Sequence, residues 1–469
     1  MSDPAPANPA APEVDVLIIG AGAAGLKAAV FAGRAAAKAH APLRVLAVDG
    51  AKKLGAKVLV AGGGRCNVTH HAVDASAYAG SSRNAIRKVL GRFDVPQTVA
   101  FFEQLGVTLK REETGKLFPT TDDAHTVLNA LLAAVEQSGA RLLHPWRVSG
   151  VEATADGGFL VHGPDDSTAG PPAIRTRRLI LATGGMALPK TGSDGAGYRF
   201  AKALGHSVTP LVTPALVPLT LADGCFIREL SGLTLNTTLT LHAGGGGMSG
   251  GGMSGAGMSG AGTSAGGSGA LGKPLVSFTN STLCTHFGLS GPAVLDISRY
   301  YLDTLAHDPQ ARLVLNWLPG VTAAQADAHL LARRNASVLR VLTDAPWSLP
   351  ERLARAILAQ VGLSPGQTGE HVSKDTRRAL VTHLCACPLP VTGNRGYTYA
   401  EVTAGGVPLS ELHLESMASR VCPGLHIIGE LCDVDGRIGG FNFQWAWATG
   451  YVAGNAAVAD LLSPQPASA

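Results

Sequence analysis

Six consecutive residues, Gly20-Ala21-Gly22-Ala23-Ala24-Gly25, have the spacing that cradles a pyrophosphate. Gly20 permits a tight turn, Gly22 lets the backbone approach the phosphates, and Gly25 lets the following helix pack closely on the preceding strand. The helix N-terminus can then hold the anion. Asp49, at the end of the next apolar run, could accept hydrogen bonds from ribose hydroxyls. A dinucleotide site is predicted, with redox chemistry supplied by the bound cofactor.

Other stretches bring further chemical groups. Gly62-Gly63-Gly64-Arg65-Cys66-Asn67 offers a backbone that can lie against a flat ligand, with donors from Arg65 and Asn67 at its edge. Thr183-Gly184-Gly185 ends a buried apolar run and brings bare backbone to the same ligand. His286 lies with Thr285 and Ser290 in a stretch containing glycine and proline. Its imidazole can hold or release a proton near neutral pH; a histidine capping a domain interface is the alternative. Glu430, Asp433 and Asp435 could suggest a divalent cation, but one acid on a sugar or ribityl hydroxyl suits the glycine-rich surroundings better, and no metal is expected. Glu112-Glu113 reads as a charged pair beside a turn, without an obvious partner. Gly255-Ala256-Gly257-Met258-Ser259-Gly260 repeats the opening spacing, yet no strand feeds it and no helix leaves it, so it is not read as a site.

These residues need elements to carry them. An apolar strand over 14–19 enters the first glycine loop, an alanine-rich helix over 26–39 leaves it, and a second strand over 43–48 ends at Asp49. Helical patterns follow over 85–106 and 124–138, with a hairpin over 108–119, a surface hairpin over 157–174, and a buried strand over 178–182. After residue 205 alternating segments such as 230–241 predict an inserted antiparallel β domain (206–317 and 366–390). Helical spacing over 323–342 and 350–361 predicts a small helical subdomain (318–365). Residues 243–273, rich in Gly, Ser and Met, read as a flexible loop, and 1–12 as a disordered tail. A last buried strand ends near Glu430, and a closing helix runs from 446 to 462. The fold expected is α/β: a discontinuous, doubly wound, Rossmann-like domain (13–205 and 391–469) carrying both insertions.

Composition sets outer limits. The chain has 469 residues, enough for several domains and a large core. No stretch approaches the ~20 continuous apolar residues of a membrane span, and the first dozen residues lack the pattern of a secretory signal. A soluble, cytoplasmic protein is expected. Seven scattered cysteines argue against a disulfide framework, and Cys385 and Cys387 read as small buried hydrophobes. The formal charge of +4 is small and the basic clusters are short, so neither a nucleic acid nor a membrane is the expected partner.

The ordered set of motifs, including Thr285-His286-Phe287-Gly288-Leu289-Ser290-Gly291-Pro292 and Gly429-Glu430-Leu431-Cys432-Asp433-Val434-Asp435-Gly436, resembles a bacterial family of NAD(P)/FAD-dependent oxidoreductases. These are the aminoacetone-oxidase-like and bile-acid-reductase-like flavoproteins, related more distantly to fumarate reductase and tRNA-modifying flavoproteins. The resemblance covers nearly the whole chain. It implies non-covalently bound FAD, with Gly20, Gly22, Ala23, Ala24, Gly25 and Asp49 at its ADP half. Gly64, Arg65, Cys66, Asn67, Thr183, Gly184, Gly185, Glu430, Asp435, Gly440, Phe441 and Asn442 would lie along the ribityl chain and isoalloxazine. A histidyl-flavin link at His70 or His71 is the less expected form. The implied reaction is hydride transfer through flavin N5 to or from a small organic substrate, with His286 and Arg65 as catalytic candidates. NAD(P)H is a possible transient donor, and enone reduction a possible subclass. The alternatives are a tRNA-modifying or RNA-associated flavoprotein and a non-catalytic flavin-binding protein.

Overall fold

The computed structural model describes residues 11–164, 170–244 and 272–463. The tail expected over 1–12 falls almost entirely outside them, as does most of the loop expected over 243–273. The chain forms two compact units, residues 1–215 with 397–469, and residues 216–396.

The first unit is built on a nine-stranded sheet. Its centre is five parallel strands: β1 (Glu13–Ile19), β2 (Val45–Val48), β3 (Arg141–Leu143), β4 (Ala173–Leu181) and β5 (Leu425–Ile427), in the order β3-β2-β1-β4-β5. The strands are short apolar runs because both sheet faces are covered; Leu17, Ile18, Leu179, Ile180, Leu425 and Ile427 are all buried. The strand order reverses direction at β1, and α/β sheets bind ligands at such a reversal, outside the carboxyl ends of the strands. Here those ends are level. Ile19 is in register with both Val48 and Leu181, and Leu181 with Ile427. Gly20, Asp49, Ala182 and Ile428 therefore leave the sheet along one edge.

Three helices matter to that edge: α1 (Ala23–Lys38), α2 (Ala56–Gly64) and α3 (Phe441–Leu462). Helices α1 and α3 approach backbone to backbone. A Cβ added to Gly450 would lie 2.6 Å from the Ala24 carbonyl oxygen, and one on Gly454 would lie 2.4 Å from that of Ala28.

Three local expectations change. The strand expected over 178–182 and half of the hairpin expected over 157–174 are one continuous strand, β4, whose first residues pair antiparallel with Phe159–His162. The stretch before the glycine run forms the first turns of α2 from Ala56, and the helical conformation breaks at Ala61, Gly62 and Gly63, so the glycine run itself is not helical. The closing helix starts at Phe441 rather than 446, because Gly440, at φ +94°, turns the chain into it.

The second unit holds a seven-stranded antiparallel sheet whose centre is the hairpin Thr234–His242 and Pro274–Thr285. Helices pack with it around one apolar core that runs from Leu219 to Leu389. The helical spacing over 323–342 forms two helices, Ala323–Ala332 and Val338–Thr343. Ser337 restarts the second by accepting a hydrogen bond from the Arg340 amide.

Candidate functional site

The first glycine loop combines two constrained positions with one open one. Gly20 has φ +102°, and a Cβ there would lie 2.4 Å from the Ala182 carbonyl oxygen. A Cβ on Gly25 would lie 1.8 Å from the Gly20 carbonyl oxygen. Around Gly22, by contrast, a Cβ would meet no protein atom within 4 Å. The fold needs glycine at 20 and 25; the space over Gly22 is left for something else. Helix α1 begins there with no side-chain cap and no acid in its first turn. Its first amides lack intrahelical acceptors, as at any helix start, so the loop presents uncapped N–H groups to open space, an arrangement suited to an anion.

Asp49 is fixed at the end of β2. One carboxylate oxygen accepts from the Ala21 amide at 2.8 Å and the other from the Ala51 amide at 2.8 Å. The acid thereby ties the glycine loop to the second strand, and an ionised carboxylate retains lone pairs for a ribose hydroxyl.

Beyond α2, Asn67 is buried, and its Oδ1 has no hydrogen-bond partner among the described residues. An orphaned buried acceptor is costly, and a ligand N–H would satisfy it. Cys66 beside it adopts φ +59°, and burial pushes its thiol up to about 12, so it remains a neutral thiol. Arg65 is engaged by carboxylates. Its guanidinium donates to Glu112 at 2.6 Å, lies 3.5 Å from Asp122 and covers the Phe118 ring at 4.1 Å. The hydrogen bond to Glu112, with the nearby carboxylates, raises its pKa further. Glu112, expected to have no obvious partner, has one here.

The strand end at β4 continues through Ala182, Thr183, Gly184 and Gly185. Gly184 has φ +72°, and a Cβ on Gly185 would lie 2.4 Å from the Thr403 hydroxyl and 2.7 Å from Glu430 Oε1. Thr403 organises this corner: its hydroxyl accepts from the amides of Met186 (2.7 Å) and Ala187 (3.1 Å), and its own amide donates to Glu430 Oε1 at 2.9 Å. The second Glu430 oxygen accepts from Lys57 Nζ at 2.6 Å.

The N-terminus of α3 completes the edge. It has no side-chain cap and no acid in its first turn. Gly440 presses on the Thr69 backbone, where a Cβ would come within 2.6 Å. Asn442 clamps Gly436, accepting from its amide and donating to its carbonyl, both at 2.8 Å. The Phe441 carbonyl accepts from buried Tyr78 at 2.8 Å, and the buried Asp435 pairs with Ala79 in a two-stranded ladder. Within α3, Gln444 donates to the Phe93 carbonyl at 2.9 Å and accepts from Thr69 and Thr98 at 2.7 and 2.9 Å. Trp445 donates to the Gly429 carbonyl at 3.0 Å, fixing the turn that carries Glu430. Both ring nitrogens of His70 lie near carbonyl oxygens, at 2.8 Å (Ala72) and 3.1 Å (Thr114), and its ring stacks on Phe441.

Gly20, Gly25, Asp49, Gly185, Glu430, Gly440 and Asn442 are tied to one another or to their neighbours along this edge of the first unit, and Arg65 is paired with Glu112. His286 belongs to the second unit. It is exposed between the strands Pro274–Thr285 and Gly288–Ser290, its carbonyl accepts from Arg228 at 2.9 Å, and its ring packs edge-on to Phe287. Sequence reasoning missed Lys57, Thr403 and Gln444 as organisers. Each acts through a partner far along the chain, so no local pattern announces it.

FAD suits the first unit. Two uncapped helix starts, the open space over Gly22, an acid at the second strand end and an orphaned acceptor at Asn67 match the phosphates, ribose and polar ring edge of a flavin dinucleotide.

Comparison with known proteins agrees. Residues 14–456 match the family described as HI0933-like protein Rossmann domain. A 3-dehydro-bile acid delta(4,6)-reductase of Clostridium scindens is 31% identical over 445 residues, covering 94% of this chain and 98% of the relative. A ribosomal RNA dihydrouridine synthase of Escherichia coli is 31% identical over 440 residues, covering 93% and 96%. Among solved structures, a quinol fumarate reductase of E. coli aligns with TM-score 0.47 and 15% identity, over 97% of this chain and 72% of that one. The chain is a member of the HI0933-like family of FAD-binding, oxidoreductase-type flavoproteins.

Proposed function

We propose that the protein is an FAD-dependent reductase of a carbon–carbon double bond conjugated to a carbonyl, supplied with electrons by NAD(P)H. One observation carries the reading. Two relatives matched over nearly their whole length have unrelated substrates in their names, a bile acid and ribosomal RNA, but a shared chemistry. Reducing a 3-oxo steroid at its conjugated double bonds and reducing uridine to dihydrouridine both add hydrogen across a double bond next to a carbonyl.

Bound FAD supplies hydride transfer at N5. The chain's own groups bind and orient. The first-turn amides of α1 would hold the pyrophosphate, Asp49 would take the ribose hydroxyls, and the first-turn amides of α3 would stabilise negative charge on the bound flavin. His286 is the proposed donor of the proton taken up at the carbon next to the carbonyl, since an imidazole can release one near neutral pH. Attachment of FAD is non-covalent in this reading, favoured at His70 by the carbonyl oxygens beside both of its ring nitrogens.

We favour a small-molecule substrate in the cytoplasm over RNA. Several residues of the short basic clusters are engaged by carboxylates: Arg175 by Asp156 (2.9 Å), Arg333 by Asp344 (3.2 Å) and Arg377 by Asp327 (2.7 Å). The test is an anaerobic stopped-flow experiment on the yellow holoenzyme. NADH or NADPH should bleach the flavin, and a cyclic enone or steroid enone should restore its absorbance. Restoration by uridine-containing ribosomal RNA alone would move the substrate to RNA, and inertness to every donor would remove the reductase reading.

A further inference from the structure

Glu430 lies in the turn that follows β5, and its carboxylate is held from two sides. The Thr403 amide donates to one oxygen at 2.9 Å, and Lys57, in the first turn of α2, donates to the other at 2.6 Å. The two side chains are 26% and 16% exposed, so solvent screens their charges weakly. Thr403 is pinned in turn by the Met186 and Ala187 amides. The charge balance of this edge depends on the pair. The edge takes an anionic pyrophosphate and already carries Asp49. A second carboxylate without a counter-charge would oppose the phosphates.

We propose that Lys57 is a cofactor-positioning residue. It neutralises Glu430 and fixes its carboxylate, so that Glu430 can accept hydrogen bonds from flavin hydroxyls without its charge repelling the pyrophosphate. The inference rests on the chain binding FAD, as its family does, and goes beyond it by assigning Lys57 and the reason for its charge.

The test measures FAD affinity of the apoprotein by quenching of flavin fluorescence, with no turnover involved. Lys57→Met should weaken binding by roughly tenfold or more, and the deficit should shrink as salt is raised. Lys57→Arg should bind within about threefold of the parent. The decisive variant is Lys57→Met with Glu430→Gln: removal of the opposing charge should recover affinity to within about threefold of the parent. Parental affinity in Lys57→Met would overturn the proposal. So would a double variant as weak as Lys57→Met, since Lys57 would then act on the cofactor itself. If Lys57→Met apoprotein melts far below the parent, Lys57→Gln with and without Glu430→Gln repeats the comparison with hydrogen-bonding groups kept. Failure of the parent to bind FAD would overturn the family reading and the role of Lys57 with it, whereas a parent that binds FAD with Lys57→Met unaffected would overturn the role of Lys57 alone.

Discussion

Gly22 and Gly25 sit three positions apart and answer to different masters. The fold demands the glycine at 25, where a Cβ would strike the Gly20 carbonyl at 1.8 Å. At 22 a Cβ would meet no protein atom within 4 Å, so the fold makes no such demand. Gly22→Val should therefore give a colourless protein with nearly the parental melting temperature, whereas Gly25→Val should lower the melting temperature sharply; bound-flavin absorbance and thermal melts separate the two. Lys27 poses a different problem. It is fully buried, its Nζ has no hydrogen-bond partner among the described residues, and it lies 3.1 Å from the Phe101 ring centre and 3.9 Å from that of Phe93. Burial, helped by the charge on Arg34, holds its pKa well below the usual lysine range. The unfolded chain then binds the extra proton over the window between the folded pKa and ~10.4, so stability rises with pH across that window. Lys27→Met should be more stable than the parent at neutral pH and should lose that slope, as read from denaturant midpoints at several pH values.

Helices α1 and α3 owe their close approach to Gly450 and Gly454, four residues apart on one face. Gly454→Val forces a side chain against the Ala28 backbone and should cost roughly 1–3 kcal/mol or more, measured by urea unfolding. Flavin content should fall with stability, because α3 also supplies the helix start at the cofactor edge. The helix that carries Gly450 and Gly454 was legible in advance, but its contact with α1 was not, because the two helices lie near opposite ends of the chain. By contrast, β1, β2 and the first glycine loop were legible, because strand, turn and helix follow one another within a few residues. Arg65 with Glu112, and Lys57 with Glu430, join segments far apart in sequence; pairing of that kind leaves no periodic trace.

Two compact units of one chain invite tests on the molecule as a whole. In the second unit the central hairpin already closes on itself at the ends of the long Gly/Ser/Met segment. The Ala243 amide donates to the Lys273 carbonyl at 3.1 Å, and a Cβ on Gly272 would lie 3.1 Å from the Gly244 carbonyl oxygen. Deleting residues 245–271 would join Gly244 to Gly272 as a two-residue Gly-Gly turn, a connection well suited to antiparallel strands. The shortened protein should keep its flavin stoichiometry and melt within a few degrees of the parent; a white or aggregating product would show that the segment supports the fold.

The level ends of β1, β2, β4 and β5 also bear on the order of synthesis. The first three leave the ribosome early, β5 and the start of α3 only after the whole second unit has emerged. The cofactor edge is thus complete only after residues 216–396 have been made. Residues 216–396 form one continuous stretch with its own apolar core. FAD capture should be a late event, and nascent chains stalled before residue 425 should not retain the flavin that released full-length protein does.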